Sequence, residues 1–144
     1  MTELLLIIQI AGERIAIRAT DVESVVEIEG IAPVPRAAPH VAGLAALRSR
    51  VLTVIDSMAS LQLPGGPRDG LQEAIVVELD GHPYAILVDS VEDVIEFTGE
   101  ARAVRTSLRG SWKRVAKGMV EAGDDLLLLL DVQALIAGPT AQAA

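Results

Sequence analysis

The chain has 144 residues, of which 20 are acidic and 12 basic, giving a formal net charge of −8; that length holds one domain, or two very small ones around a common core, and excludes a large multidomain enzyme. Half of the residues are hydrophobic, yet Trp112, Tyr84 and Phe97 are the only aromatics, so the core must be aliphatic and a flat aromatic platform is excluded. The acidic balance disfavours a phosphate backbone as partner, and the lack of cysteine removes disulfides, thiolate metal sites and cysteine nucleophiles.

Leu4 to Ile8 is apolar but too short for a signal core or a membrane span, and no basic segment precedes it, so a soluble cytoplasmic protein is expected. Leu4 to Ile10 and Arg14 to Ala19 read as a strand pair bent at Ala11-Gly12-Glu13. Thr20 and Glu23 then have the cap-x-x-Glu spacing, and Val22, Val25 and Val26 share one helical face, which predicts a short helix. Ile31-Ala32-Pro33-Val34-Pro35 is extended because each proline pushes its predecessor out of the helical region, and Pro39 to Gly43 suits one further turn. Val51 to Ile55 reads as a buried strand and residues 57 to 61 as a closing helical turn. The Gly- and Pro-dense stretch Leu63 to Gly70 is a loop.

The same succession follows again. Ala74 to Leu79 and Tyr84 to Val88 form a hairpin around Asp80-Gly81-His82-Pro83. Asp89 with Glu92 repeats the capping spacing, and Val91, Val94 and Ile95 repeat the helical face. Leu126 to Leu130, flanked by acids, reads as a strand buried on both faces, and residues 132 to 137 as a closing helical turn. Laying Gly12 to Ile28 over Gly81 to Phe97 gives seven identities in seventeen positions at an offset of 69. Further on the offset becomes 75, pairing Gly43 with Gly118, Leu52 with Leu127, Asp56 with Asp131 and Ala59 with Ala134. The expected organisation is two copies of one unit, residues 4 to 61 and 74 to 136, with a linker over 62 to 73 and a frayed tail over 138 to 144. A unit near 60 residues is marginal alone, so a mainly β architecture of two five-stranded barrels sharing an aliphatic interface is predicted.

Certain motifs recur in a definite order: Gly12-x-x-x-Ala16-Ile17 with Val22 and Val25; Val34-Pro35-x-x-x-Pro39-x-x-x-Gly43; Leu47-Arg48-x-x-Val51-Leu52-x-Val54-Ile55-Asp56; Val88-Asp89-x-Val91-x-x-Val94; and Gly118 with Leu128-Leu129-Leu130-Asp131. In that order and spacing, from Leu5 to Ile136, the chain resembles the CheW family of bacterial chemotaxis coupling proteins. The resemblance implies one domain over 1 to 144, built of two intertwined five-stranded barrels of the Src-homology-3 type with a few short helices. It further implies a non-catalytic adaptor without a cofactor, recruited to membrane receptor arrays. One surface would bind the cytoplasmic hairpin tip of a chemoreceptor and another the regulatory domain of a CheA-type histidine kinase. Carried over residue by residue, the receptor-facing candidates are Val22, Ser24, Arg48, Ile86 and Val88. Where the family commonly has Asn-Leu-Arg-Gly this chain has Ala46-Leu47-Arg48-Ser49, and Thr53 stands where the family commonly has proline. Glycine at 49 would enter a left-handed turn more readily than serine.

Read from the residues alone, Arg48 follows an apolar run and precedes a strand, where its guanidinium meets either an acidic partner or an internal acid such as Asp56. Asp56 and Asp131 stand at equivalent strand ends, which points to capping or turn formation in both copies. Arg102, Arg105, Arg109 and Lys113 have helical spacing, with Arg114, Lys117 and Trp112 nearby. They form either a docking patch for an acidic partner or anionic lipid, or a solvated stripe balancing Glu92, Asp93, Glu96 and Glu100. His40 and His82 lack metal-ligand spacing, and no phosphate-cradling glycine motif is present, so no metal, cofactor or catalytic centre is expected. The alternative to an adaptor is a regulatory module on the same paired barrels that binds a small anionic ligand through Arg48 and the 102 to 117 segment.

Overall fold

In the computed structural model, residues 2–65, 70–103, 108 and 110–139 are described. The first half of the chain forms β1 (Glu3–Ile10), β2 (Glu13–Arg18), β3 (Ser24–Ile28), β4 (Val41–Leu47), β5 (Arg50–Ile55) and the one-turn helix α1 (Ser57–Ser60). The second forms β6 (Gln72–Leu79), β7 (His82–Leu87), β8 (Ser90–Phe97), α2 (Ser111–Val115), β9 (Ala116–Ala122), β10 (Asp125–Leu130) and α3 (Val132–Ala137). β6 and β7 fall 69 residues after β1 and β2, while β9 and β10 fall 75 after β4 and β5, the two offsets found in the sequence. The helix α2 sits in the stretch where the second copy is longer.

The two expected helices after the hairpins are strands. Thr20 lies in a 3-10 turn over Ala19–Asp21, and the chain from Ser24 pairs antiparallel with β6, as the chain from Ser90 pairs with β1. The β-branched Val25, Val26, Val91, Val94 and Ile95 favour the pleated surface, and a neighbouring strand supplies a full ladder that one helical turn cannot match. The acids read as capping residues act elsewhere: Asp89 accepts a hydrogen bond from the Gly12 amide at 3.0 Å, and Glu92 pairs with Arg14. The turn suggested for Pro39 to Gly43 is likewise confined to Pro39 and His40, because Val41 already begins β4.

Strand order shows that the copies are interlaced. One sheet runs β8-β1-β2-β10-β9 and the other β3-β6-β7-β5-β4, so each sheet takes its hairpin from one copy and three strands from the other. β2 meets β10, and β7 meets β5, in short parallel pairings, Ile15 opposite Leu128 and Tyr84 opposite Thr53. Each sheet curls into a half-barrel, and the segment leaving each edge strand β3 or β8 bridges to the opposite edge, Ala32 to Leu44 and Arg102 to Met119.

Alternation then divides the apolar residues among three cores. Leu5 and Ile7 of β1, Ala16 of β2, and Leu127 and Leu129 of β10 fill the first barrel with Phe97 and Val120. Ala74, Val76, Ala85, Leu87, Leu52 and Val54 fill the second with Ile28 and Ala45. The intervening residues of the same strands, among them Leu6, Ile8, Ile15, Ile17, Ile55, Ile75, Val77, Ile86, Leu128 and Leu130, join in the layer between the barrels. Among the described residues this layer holds seventeen buried side chains against eight and seven inside the barrels, so the larger share of burial energy, about 1.5–3 kcal/mol per large aliphatic side chain, lies between them. Central strands buried on both faces explain the apolar runs over Leu5 to Ile8 and Leu127 to Leu130, whereas Leu4 and Leu126 at their starts are exposed.

Asp56 and Asp131 cap α1 and α3, accepting from the amides of Ala59 and Ala134 at 3.2 and 3.1 Å. The two helices meet where Ser60 donates to the Leu135 carbonyl. Arg114 grips both helix ends, donating to the carbonyls of Ser60 and Ala134, and burial lowers the pKa of its guanidinium.

Gly43 and Gly118 occupy equivalent places beside those bridges. A Cβ on Gly43 would lie 2.2 Å from the Ala32 carbonyl oxygen at a φ of +149°, whereas one on Gly118 would lie 3.0 Å from that of Arg102 with no unusual φ. Gly43→Ala is therefore expected to cost roughly 3 kcal/mol and Gly118→Ala about 1 kcal/mol, measured by urea unfolding; equal losses would show that the two bridges are not sterically distinct.

Candidate functional site

Four tight turns connect the paired strands, and their backbone sorts them into two kinds. Ala11-Gly12 and Asp80-Gly81 have positive φ at both residues, the type I′ pattern. In the β9–β10 turn only the first residue is positive, Gly123 at +62°, and in the β4–β5 turn only the first is positive, Arg48 at +59°, the type II′ pattern that favours glycine at that place. Arg48 and Gly123 are 75 residues apart and so structurally equivalent. One copy thus places a long cation on a backbone conformation where the other uses glycine. The left-handed residue is Arg48 and not Ser49, so the serine departure costs the turn nothing. The guanidinium of Arg48 is exposed and makes no hydrogen bond or ion pair among the described residues; in particular it does not reach Asp56, which is buried and occupied with its helix cap.

The neighbouring arginine carries the turn's intramolecular tie. Arg50 pairs with Glu23 at 2.7 Å, and this hydrogen bond, followed by the carboxylate's charge, raises the arginine's pKa. Because Glu23 stands between Val22 and Ser24, the pair draws the Arg48 turn to the start of β3. Val22 is half-buried against the inter-barrel core and Ser24 is exposed. Three of the five candidates, Val22, Ser24 and Arg48, therefore gather at one end of the second barrel. Beside them Leu44 opposes Thr53 and Ala46 opposes Val51 on the outer face of β4 and β5, with Leu44 38% and Val51 61% exposed.

The other two candidates lie inside. Ile86 is fully buried in the layer between the barrels, since its position in β7 turns it away from the barrel interior and onto β1 and β2. Val88 is 9% exposed and forms part of the wall of an inter-barrel groove of about 840 Å³ that Trp112, Met58 and Leu63 also line. Ile86 offers no surface to a partner, and Val88 offers one only through that groove.

The matching end of the first barrel has the same frame with reversed charge. Glu92 and Asp125 occupy the places of Glu23 and Arg50; two acids cannot pair, and Arg14 bridges them at 3.1 and 2.7 Å. The hydrogen bond that Arg14 donates to Asp125, then the charge of Glu92, raises the arginine's pKa. Gly123, Asp124 and Asp125 make this turn acidic, whereas Arg48 and Arg50 make its counterpart basic.

Of the expected basic stripe, two members are described. Arg102 lies in the extended bridge to Met119 and pairs with Glu121 at 2.7 Å, while Lys113 is exposed on α2; Arg105 and Arg109 lie outside the described residues. Of the neighbouring cations, Lys117 reaches Asp21 at 3.7 Å and Arg114 is bound to carbonyls. Among the described residues no cluster of three metal-ligating side chains occurs, and no helix is long and apolar enough to cross a membrane. His82 is exposed, and His40 is buried and bonded through Nε2 to the Ile136 carbonyl.

Two interlaced copies with one strained basic turn are the geometry with which the chain meets known proteins. The model of the CheW-like domain matches residues 4–139. The chain belongs to the CheW-like domain family. It is 26% identical over 128 residues to the chemotaxis protein CheW of Thermotoga maritima, covering 89% of this chain and 83% of that protein. It is 28% identical over 142 residues to a probable chemotaxis protein CheW of Rhizobium etli, covering 92% of each. The crystal structure of the scaffolding protein TtCheW from Thermoanaerobacter tengcongensis superposes with a TM-score of 0.82 at 20% identity, over 94% of this chain and 92% of that one. The resemblance read from the ordered motifs is thus matched across nearly the whole CheW-like domain.

Two features of this site escaped the sequence reading: the Glu23–Arg50 tie and the equivalence of Arg48 with Gly123. The second was available from the offset of 75, which places one over the other. It yields a clean variant. Arg48→Gly removes the guanidinium while relieving a left-handed backbone conformation that costs a residue with a side chain about 1–2 kcal/mol, partly offset by the flexibility of glycine in the unfolded chain; thermal unfolding should show stability unchanged or raised by up to about 1 kcal/mol. The reciprocal Gly123→Arg should lose about 1–2 kcal/mol. A destabilised Arg48→Gly protein would mean that Arg48 is held by interactions of the fold itself.

Proposed function

We propose that the chain is a non-catalytic adaptor that couples chemoreceptors to a CheA-type histidine kinase, acting at membrane receptor arrays. The observation that carries this reading is Arg48: an exposed cation without an internal partner among the described residues, kept on a left-handed backbone where the other copy has glycine. Strain of that kind is retained where the surroundings over-determine it and commonly marks a contact site. In the receptor-facing role Val22 and the exposed aliphatics of β4 and β5 receive the ridge of a receptor helix, Ser24 lies at the margin, and Arg48 meets an acidic group of the receptor tip. The acidic counterpart turn at Asp124 and Asp125, on the other barrel, suits the paired-barrel regulatory domain of the kinase. Opposite charge on equivalent frames lets one fold address two partners without confusing them. The reading as a module for a small anionic ligand finds less support, because Arg102, Arg114 and Lys117 are already engaged by groups of the protein itself.

The test is reconstitution of receptor fragment, kinase and this protein, with autophosphorylation as the readout. Arg48→Gly should lower receptor-stimulated kinase activity at least ten-fold at an unchanged or raised Tm. Asp125→Asn should spare receptor binding and weaken kinase binding. Wild-type stimulation by a stable Arg48→Gly protein removes Arg48 from the receptor surface, and failure of the wild-type protein to bind the kinase removes the adaptor reading.

A further inference from the structure

The two copies leave their edge strands in different states. β8 is bonded to β1 on one side, and two of its amides are taken by carboxylates: Val94 donates to Asp93 at 2.8 Å and Val91 to Glu73 at 3.0 Å. A strand edge whose donors are already occupied is closed to another chain. β3 is its counterpart at the offset of 69 and is bonded to β6 alone. Ser24 stands where β8 has Asp93, and its hydroxyl makes no hydrogen bond among the described residues. Ser24, Val25 and Glu27 are exposed, Val25 at 46%, and neither Glu27 nor Glu29 has an ion-pair partner among the described residues.

We propose that the free edge of β3 accepts an extended segment of a partner protein, one that alternates aliphatic and basic residues, by strand addition. Alternate backbone amides and carbonyls of Ser24–Ile28 point away from β6 and would complete a ladder with the incoming main chain. Glu27, on the outer face with Val25, and Glu29 just beyond the strand select lysine or arginine and repel acidic segments, while the aliphatic residues of the incoming strand fall on the inner face beside Val26 and Ile28. A helix cannot make this contact, because its amides are spent within its own turns. The proposal goes beyond receptor coupling and needs neither receptor nor kinase for its test.

The probe is a ten-residue peptide of alternating valine and lysine, titrated into the full chain by calorimetry, with amide hydrogen exchange as the second readout. Binding should be one to one, with slowed exchange confined to residues 24–28. The decisive variant is Ser24→Asp, which installs at β3 the carboxylate that closes β8. It should weaken the peptide at least ten-fold at an unchanged Tm, although the added negative charge would strengthen a purely electrostatic attachment. Equal or tighter binding to Ser24→Asp overturns the proposal. So does protection located in the inter-barrel groove, or equal affinity for a peptide with glutamate in place of lysine.

Discussion

The strands on either side of the inter-barrel layer are apolar on both faces, and that double burial is the constraint on which the rest depends. Neither barrel is a finished object: the outward residues of β1, β2 and β10 would face water if β5, β6 and β7 did not cover them. The layer is also where the copies change partners, so burial and strand exchange are one event. Ser60, Leu135 and Arg114 extend the same seam at the helix ends, with hydrogen bonds running from one copy to the other. The exposed turns can then diverge in charge, because the frame that holds them is fixed by aliphatic packing far from the surface.

Much of this was legible in the residues. The hairpins around Gly12 and Gly81 follow from turn chemistry. The strand character of Leu126 to Leu130 follows from an apolar run too short for anything else, and the capping roles of Asp56 and Asp131 follow from their duplication. The segments after the hairpins misled, because Thr20-x-x-Glu23 and Asp89-x-x-Glu92 are genuine capping spacings and the valines that follow fit a helical face as well as a pleat. What decided between them was a neighbouring strand from the other copy, and local periodicity carries no information about it. Ile86 shows the same limit from the opposite side. Strand alternation states that two faces exist, but only the packing of one barrel against the other turns its face inward.

The candidate site was partly legible for a related reason. Arg48 stood out as a cation at an element boundary, and the offset between copies already set it over Gly123. Its neighbour's role did not stand out, since Glu23 lies 27 residues before Arg50 and is joined to it only by the curl of the sheet. The two barrel ends show how a duplicated frame acquires different surfaces at little cost. Replacing a direct acid–base pair by two acids with an arginine between them preserves the tie and changes the sign of the turn.

Strand exchange also carries a consequence for symmetry. A single copy has a hairpin that fits one sheet and three strands that fit another, so by itself it cannot complete either. Two identical copies could complete both by trading those parts, as a symmetric homodimer in which each subunit lends its hairpin to its twin. The present chain makes the same exchange within one polypeptide, so its two ends are free to be unlike.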